Sequence, residues 1–168
     1  MSKNELQKIL DNIPVKSYKD KVKHIEDYLT SIADGKNIVA GNGNEVIYPD
    51  MWEYKHSFAE GLYIREMRMV KGQVGFSAIH KHSYGFFLLS GLLASSKEEG
   101  VEEFIAPCYI VSPQGAKRIV HALEDCVIVT VHANPTNTED LDELAKMNVV
   151  FNWEEYQEYL KNKNEKTK

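Results

Sequence analysis

The chain has 168 residues, of which 43% are hydrophobic and 27% charged, and its formal net charge is -5 at pH 7. This length predicts a single globular domain that can bury a core without staples. No apolar run approaches the roughly 18 residues of a membrane span. The acidic balance, without a basic stripe outside the lysine-rich tail, argues against general nucleic-acid binding.

Export is not predicted either. The N-terminal sequence MSKNELQKIL has no apolar signal-peptide core. Cys108 and Cys126 lie in apolar segments, and two cysteines are too few for a disulfide framework. We therefore expect buried, reduced thiols and a cytoplasmic protein.

The beginning of the chain is predicted to be helical. Residues 17–34 carry apolar side chains at three- and four-residue intervals, with Ser17 as the candidate N-cap and Gly35 as the candidate end. A shorter helix is predicted around 6–13. The stretch 41–50, GNGNEVIYPD, is rich in glycine and asparagine, which is typical of a loop.

From about residue 56 the pattern changes to short β-rich runs separated by turn residues. Strands are predicted at 62–70, 73–79, 86–93, 102–105, 109–111, 118–121 and 126–132. Strand spacings near ten residues predict an all-β sandwich or barrel, and the absence of strand–helix alternation argues against a parallel α/β sheet. The run FFLL lacks polar alternation, so we expect a strand buried on both faces, either in the barrel or at a subunit contact.

After the barrel the chain returns to a helical pattern. NTEDLDELAKM predicts a helix with a threonine or asparagine cap and acidic residues in its first turn. FNWEEYQEYL predicts a further turn or helix. The resulting division is a helical segment and loop at 1–50, a β-barrel at 51–135, and a C-terminal helix with a disordered tail at 136–168.

The sequence HKHSYGFFLLSG contains the strongest candidate site. His80 and His82 are expected to point the same way, because side chains alternate between the faces of a strand. Two imidazoles on one face can converge on one ion, and neutral imidazole suits transition metals. Such a pair arises by chance roughly 0.2 times in a chain with this histidine content. Its position at the mouth of a predicted barrel is therefore what gives it weight.

Four sequence blocks, in this order, resemble a known family. GFSAIHKHSYGFFLLSG resembles the first signature of the cupin superfamily, and APCYIVSPQGAKRIVHALEDCVIVTVH resembles the second. With HSFAEGLYIREM and VTVHANPTNTEDLDEL, they are similar more narrowly to small uncharacterised cupins encoded in phage and prophage genomes. The resemblance covers roughly 56–150. It implies a mainly β, cupin-type jelly-roll barrel with N-terminal and C-terminal helices, a metal pocket and a phage origin, but no reaction.

The resemblance implies His80 and His82 as metal ligands and departs from the family pattern at two other positions. Tyr84 is the residue nearest to the usual glutamate, and Arg118 stands where a histidine is usual. His121 is the best third ligand, although alternation places it on the opposite face unless a bulge resets the register. The expected cofactor is a divalent transition metal, such as zinc, iron, manganese or nickel.

Other residues are further candidates for the pocket. His132 ends a predicted strand with a small polar face, and His56 precedes the first predicted strand. Glu66 lies mid-strand among apolar residues and would complete a two-histidine, one-carboxylate site. The competing interpretation is structural: Glu66 pairs with Arg65 or Arg68 on a solvated face, and the histidines form local hydrogen bonds.

Arg118 supports a second chemistry. An arginine at the usual ligand position would point into the barrel, and a buried guanidinium needs a carboxylate or an anionic ligand. With Tyr84 and His132, it predicts a pocket for a small anion such as a carboxylate or phosphate. The alternative is a salt bridge from Arg118 to Glu124 or Asp125 across the turn.

Two functional hypotheses follow from these residues. In the first, a small cupin binds a divalent metal through the histidines and a small anionic ligand beside it, with no catalytic residue assigned and the reaction open. In the second, the barrel is a non-catalytic, metal-free scaffold that contacts host or virion proteins. A homodimer is expected in either case, with neither nucleic acid nor membrane as a partner.

Overall fold

The computed structural model of the protein describes residues 3–32 and 53–165. In these residues the fold is mainly β, with antiparallel sheets between N-terminal and C-terminal helices, as the sequence predicts. The predicted loop at 41–50 and the predicted helix end at Gly35 lie outside the described residues. No helix in the described ranges has both the length and the apolar character required to cross a bilayer.

Four helices flank the strands. The helices are α1 (Lys3–Asn12), α2 (Tyr18–Ser31), α3 (Leu141–Asn148) and α4 (Trp153–Glu165). The strands are β1 (Glu53–Ala59), β2 (Gly61–Met69), β3 (Val74–Phe76), β4 (Ile79–His80), β5 (Tyr84–Ser90), β6 (Leu92–Lys97), β7 (Gly100–Ile105), β8 (Cys108–Ser112), β9 (Ile119–Ala122), β10 (Cys126–Asn134) and β11 (Val149–Val150).

Two sheets enclose the interior of the barrel. A five-stranded sheet has the order β1-β2-β10-β5-β8, and a four-stranded sheet has the order β3-β9-β6-β7. The chain crosses repeatedly between the sheets, which is the connectivity of a jelly roll. A short β4–β11 ladder ties the C-terminal segment to the barrel. The core between the sheets consists of Met69, Leu88, Leu93, Phe104, Ala122, Cys126 and Ile128.

The first two helices cover the outer face of the four-stranded sheet. Ser17 caps α2 as predicted, its hydroxyl accepting a hydrogen bond from the Asp20 N–H. A buried ion pair fixes α2 to the barrel, with Lys117 Nζ 2.7 Å from a Glu26 carboxylate oxygen. The apolar contact between these helices and the sheet consists of Leu6, Leu10, Ile13, Val22, Ile25, Leu29, Val74, Ala94, Val101 and Ile119.

The predicted strand at 86–93 is two strands in different sheets. Gly91 divides it with a φ of +88°, and a Cβ at this position would lie 2.2 Å from the Asp125 carbonyl oxygen. Only glycine fits both constraints, so the chain turns here. Leu88 is fully buried while Leu89 is 52% exposed, so a single chain buries one face of this strand. Burial of the other face at a subunit contact stays a prediction.

The structure corrects two further local predictions. The cap of α3 is Asp140, not a threonine or asparagine; its carboxylate accepts hydrogen bonds from the backbone N–H groups of Asp142 and Glu143. Strand β1 precedes the first predicted strand and was missed, because its sequence EYKHSFA alternates only weakly. Tyr54, on this strand, packs against the barrel core.

Candidate functional site

Strand register divides the interior of the five-stranded sheet into successive rows. Cross-strand neighbours share a face, so each row can be followed from β2 through β10 and β5 to β8. From the floor upward, the rows are Met67, Ile128, Leu88 and Cys108; then Arg65, Thr130, Phe86 and Ile110; then Tyr63, His132, Tyr84 and Ser112. The interior therefore changes from an apolar floor, the row that begins with Met67, to a polar end. We use the name polar end for the row that begins with Tyr63 together with Arg65 and Thr130.

Three stacked rings form the centre of the polar end. The His80 ring centroid lies 4.0 Å from that of Tyr84 and 5.6 Å from that of His132, with 6° between the imidazole planes. The Tyr84 and His132 centroids are 4.9 Å apart. Tyr63 extends the stack beyond His132 at 5.9 Å. The structure thus brings together His80, Tyr84 and His132, all three of which the sequence suggested as site residues.

A small cavity lies beside these rings, beneath the C-terminal helix α3. Its volume is ≈ 30 Å³, which is room for about two water molecules. Asn148 holds α3 over the barrel, because its side-chain amide donates to the Ala133 carbonyl at 3.3 Å. The cavity is lined by Tyr63, Arg65, His80, His132, Leu144, Ala145, Asn148 and Val149.

Both imidazoles of the polar end are neutral. Burial and the nearby Arg65 charge lower the pKa of His80 from 6.5 to about 3, with a smaller contribution from Arg118. The same two causes, burial and Arg65, lower the pKa of His132 to about 2. Burial raises the pKa of Tyr84, which both guanidinium groups oppose. The positive charge in this region therefore comes from the two arginines.

The two arginines lie on opposite sheets. Arg65 is on β2 in the five-stranded sheet, directly across from Thr130. Arg118 precedes β9 and lies two residues from Val120, whose side chain packs on the barrel core. Both guanidinium charges lower the pKa of His80 and of Tyr84. Strand alternation from Val120 directs Arg118 toward the barrel interior, on the wall opposite Arg65.

Several buried polar atoms of this region have no hydrogen-bond partner in the described residues. They belong to both sheets, and Ser95 and Thr130 are 1% and 5% exposed. Such atoms are rare in folded proteins and mark a place where a ligand or water can bind. These atoms are Arg65 Nε, Ser95 Oγ, Arg118 Nε and Thr130 Oγ1.

Neither arginine forms an ion pair with any residue in the described ranges. Glu66 does not complete the pocket; its carboxylate lies 3.0 Å from Arg68 Nη2 on the outer face of β2, as the structural interpretation predicts. The predicted bridge from Arg118 to Glu124 or Asp125 does not form. Its guanidinium makes only a 3.4 Å hydrogen bond to the Ser96 carbonyl.

The expectation that His80 and His82 share a face is wrong. Strand β4 ends at His80, and the backbone then bends as the Lys81 N–H donates to the Asn148 carbonyl. Alternation holds only within a continuous strand, so the bend redirects the next side chains. His82 is exposed and meets the Tyr159 ring edge-on, with centroids 6.0 Å apart.

His121 lies on the far side of its strand. Its cross-strand neighbours are Val74 and Ala94, both of which pack against the N-terminal helices. Alternation thus keeps its expected direction, and no bulge turns it toward the polar end. His56, the other histidine candidate, hydrogen-bonds through Nδ1 to the Tyr63 hydroxyl at 2.7 Å.

The donor set does not fit a divalent metal. His80, His82 and His121 point to three different places, and no group of three or more His, Cys, Asp or Glu side chains suited to an ion occurs within 3–32 and 53–165. Arg65 lowers the pKa of both histidines that do meet, His80 and His132, and Arg118 lowers that of His80 further. A dication there would be repelled and would lack a carboxylate to balance it.

Arg65 is the site residue that sequence reasoning missed. From the sequence, Arg65 was considered only as an ion-pair partner of Glu66 on the surface. Strand alternation offered the signal, since Arg65 shares a face with Tyr63, Met67 and Met69, all of which point into the barrel.

Comparison with known proteins finds similarity in fold. No protein-family model matches the chain, and no curated protein matches it. A solved cupin-2 domain protein from Shewanella frigidimarina is 14% identical over 49% of this chain and 81% of that chain, with a TM-score of 0.43. A cupin domain from Bordetella pertussis is 17% identical over 49% and 93%, with a TM-score of 0.41.

A conserved protein of unknown function from Streptococcus pyogenes is similar in the same way. It is 20% identical over 60% of this chain and 93% of that chain, with a TM-score of 0.44. Similarities at these identities and TM-scores carry no information about activity or ligand. Cupin-domain proteins are thus among the structures similar to this chain.

Proposed function

We propose that this protein is a cupin-type barrel that binds a small anion at its polar end. One observation carries the proposal: Arg65 and Arg118, on opposite sheets, each have a buried Nε without a hydrogen-bond partner, and neither forms an ion pair with any described residue. A buried guanidinium without a counter-charge destabilises the fold, and an anionic ligand would remove that cost.

Each neighbour of the arginines has a role in this proposal. The guanidinium groups supply charge and planar donors that match oxyanions. The hydroxyls of Thr130, Ser95 and Tyr84 supply further hydrogen bonds. His80 and His132 have pKa values of about 3 and about 2, so they remain neutral hydrogen-bonding groups and are poor proton acceptors near neutral pH. The site therefore favours binding over acid–base catalysis.

A sulfate titration tests the proposal. We expect sulfate to raise the melting temperature of the wild-type protein and to release or absorb heat in a saturable calorimetric titration. Arg65→Met should abolish both signals. Arg68→Met is the matched control, since it removes the same side chain from the outer face of the same strand, where Arg68 is 53% exposed.

Three outcomes would overturn the proposal. The first is a wild-type protein that binds no sulfate, nitrate or small carboxylate, and the second is equal loss of binding in both arginine variants. The third is stoichiometric zinc, iron, manganese or nickel in untagged protein that disappears in His80→Ala. That result would restore the metal hypothesis that the sequence suggested.

We further propose that the outer face of the five-stranded sheet is a homodimer interface. The outward positions of β10, β5 and β8 carry no charge: they are Val127, Val129, Val131, Ala133, Gly85, Phe87, Leu89, Tyr109 and Val111. Tyr109 and Val111 are each 72% exposed, and no described element covers them. Large apolar patches of this kind mark protein contacts.

The uncharged positions occupy three of the five strands. Three strands about 4.8 Å apart, with up to nine residues of about 3.4 Å each, present a surface on the order of 400 Å². This is about half of the roughly 800 Å² per partner of a standard interface, so the proposed dimer contact is a small one. Two such uncharged faces can pack on each other about a two-fold axis.

Analytical ultracentrifugation tests the dimer. The wild-type protein should sediment as a dimer at micromolar concentration, and Val111→Lys should sediment as a monomer. Tyr28→Lys is the control, because Tyr28 is 59% exposed on α2, away from this sheet. A monomeric wild-type protein, or a Val111→Lys variant that remains dimeric, contradicts the proposal and favours the scaffold with a foreign partner.

The cytoplasm remains our proposed location. Cys108 and Cys126 are both free thiols, which fits a reducing compartment. The four sequence blocks that resemble phage-encoded cupins support a phage or prophage origin.

A further inference from the structure

The charge of the polar end narrows the class of ligand. We infer that the anion is a compact oxodianion, of the phosphate or sulfate type, bound between Arg65 and Arg118. This inference rests on the proposed anion site and adds to it the charge, size and placement of the ligand.

The charge of the site comes from the groups that face it. Arg65 and Arg118 contribute two positive charges, whereas His80, His132 and Tyr84 are neutral near pH 7. A monoanion would leave one guanidinium uncompensated in a buried place, which is unfavourable. A dianion neutralises both.

One inward-facing carboxylate, that of Glu102, does not reduce the positive charge of the two arginines. Glu102 is cross-strand from Ser95 and so shares its face. Its side chain is 45% exposed and pairs with Lys97, whose Nζ lies 3.1 Å away. This pair is neutral, and no described carboxylate is left to balance the arginines.

The arrangement of donors fits a compact ion with oxygens on all sides. Arg65 and its cross-strand neighbour Thr130 belong to one sheet, whereas Arg118 and Ser95 belong to the other. Each of the four carries a buried polar atom without a protein partner. A tetrahedral oxodianion directs four oxygens in three dimensions, so it can accept hydrogen bonds from donors on both walls at once.

The space beside Arg65 under α3 is small. The cavity there has a volume of ≈ 30 Å³, about the room of two water molecules, and Arg118, Ser95 and Thr130 do not line it. An extended dicarboxylate would have to displace the helix to enter this space. A phosphate or sulfate ion held between the two sheets is the more compact choice.

Calorimetric titration with matched anions at constant ionic strength tests the inference. At pH 7.5, sulfate and phosphate should bind at least tenfold more tightly than nitrate and formate. Arg118→Met should lower sulfate affinity more than tenfold and nitrate affinity much less, so that the preference for the dianion disappears.

A pH series separates the ligand's charge from that of the protein. Phosphate gains its second charge near pH 6 to 7, so its affinity should rise several-fold between pH 5.5 and 7.5. Sulfate is a dianion throughout and should show no such rise, because the arginines stay charged and His80 and His132 stay neutral over this range.

The outcomes are distinguishable. If nitrate binds as tightly as sulfate, the dianion inference is wrong and the anion site survives. If phosphate affinity is independent of pH, the second charge is not recognised and the inference again fails alone. If none of the four anions binds, both the inference and the proposed function fall.

Discussion

The floor and the polar end of the barrel are built by the same strands, yet they differ in how well they are packed and paired. At the floor, Leu88 and Ile128 are 0% and 1% exposed and face each other across two strands. In the next row, Thr130 on β10 and Arg65 on the neighbouring strand β2 carry buried atoms without partners in the described residues. One end therefore stabilises the fold, whereas the other has buried polar atoms that our proposal assigns to a ligand.

The largest effect should come from breaking the floor. Leu88→Ala removes a fully buried side chain and leaves a cavity, so we expect the free energy of unfolding to fall by about 2–5 kcal/mol. Urea denaturation measures this change. Sulfate should still raise the melting temperature of this variant, since the polar end is unaltered. A loss of that response would contradict the view that the floor and the polar end have separate roles.

The second effect is a dependence of stability on pH. The pKa values of His80 and His132 are lowered from 6.5 to about 3 and about 2. Below about pH 6.5 the unfolded chain binds protons that the folded protein does not, so the free energy of unfolding falls as the pH falls toward those values.

At up to about 1.4 kcal/mol per pH unit for each group, the loss between pH 7.5 and 5.5 should be about 2–3 kcal/mol. Urea denaturation at the two pH values measures it. His132→Gln should reduce the loss by about half. A stability that does not change over this range would show that the two imidazoles are not buried beside Arg65.

The third change should raise the free energy of unfolding, whereas the first two lower it. Arg65→Met replaces a half-buried charge that has no ion pair in the described residues with an apolar side chain, so we expect the ligand-free protein to gain about 1–2 kcal/mol. Arg68→Met removes only exposed ion pairs and should lower stability by no more than about 1 kcal/mol. Denaturation in a chloride buffer free of oxyanions measures both. A destabilised Arg65→Met variant would mean that this guanidinium is already satisfied.

The smallest effect should come from a single hydroxyl. Thr130→Val preserves shape and removes a buried oxygen without a partner, so we expect the ligand-free protein to gain about 1 kcal/mol. Thermal denaturation measures the gain. Sulfate affinity should fall several-fold in the same variant, and unchanged affinity would remove Thr130 from the site.

Much of the fold could be predicted from local sequence. Short alternating runs with turn residues between them specify the strands, and the Ser17 cap begins α2 as expected. The division at Gly91 was missed because FFLLSGLLA is continuously apolar, and the turn is required by the Asp125 backbone, which is distant in sequence. The end of β4 was missed for the same reason, because its partner β11 lies about 70 residues further on.

The candidate site was harder to predict than the fold. Alternation tells which residues of a strand share a face but not which face is inside. On β2 both faces contain apolar residues, so Glu66 was considered as the inward group and Arg65 was not. Arg118 was predicted because it replaces a residue of the family pattern. The proposed convergence of the two arginines depends on the packing of two sheets, which local sequence does not encode.

The central claim is that Arg65 and Arg118 bind one anion between them, and anomalous diffraction tests it most directly. Crystals grown with selenate, a sulfate-like dianion with a strong selenium signal, should give a single strong peak within hydrogen-bonding distance of both guanidinium groups. Crystals of Arg65→Met should lack it. A wild-type map with no peak in the barrel, or with selenium only at surface lysines, would contradict the account.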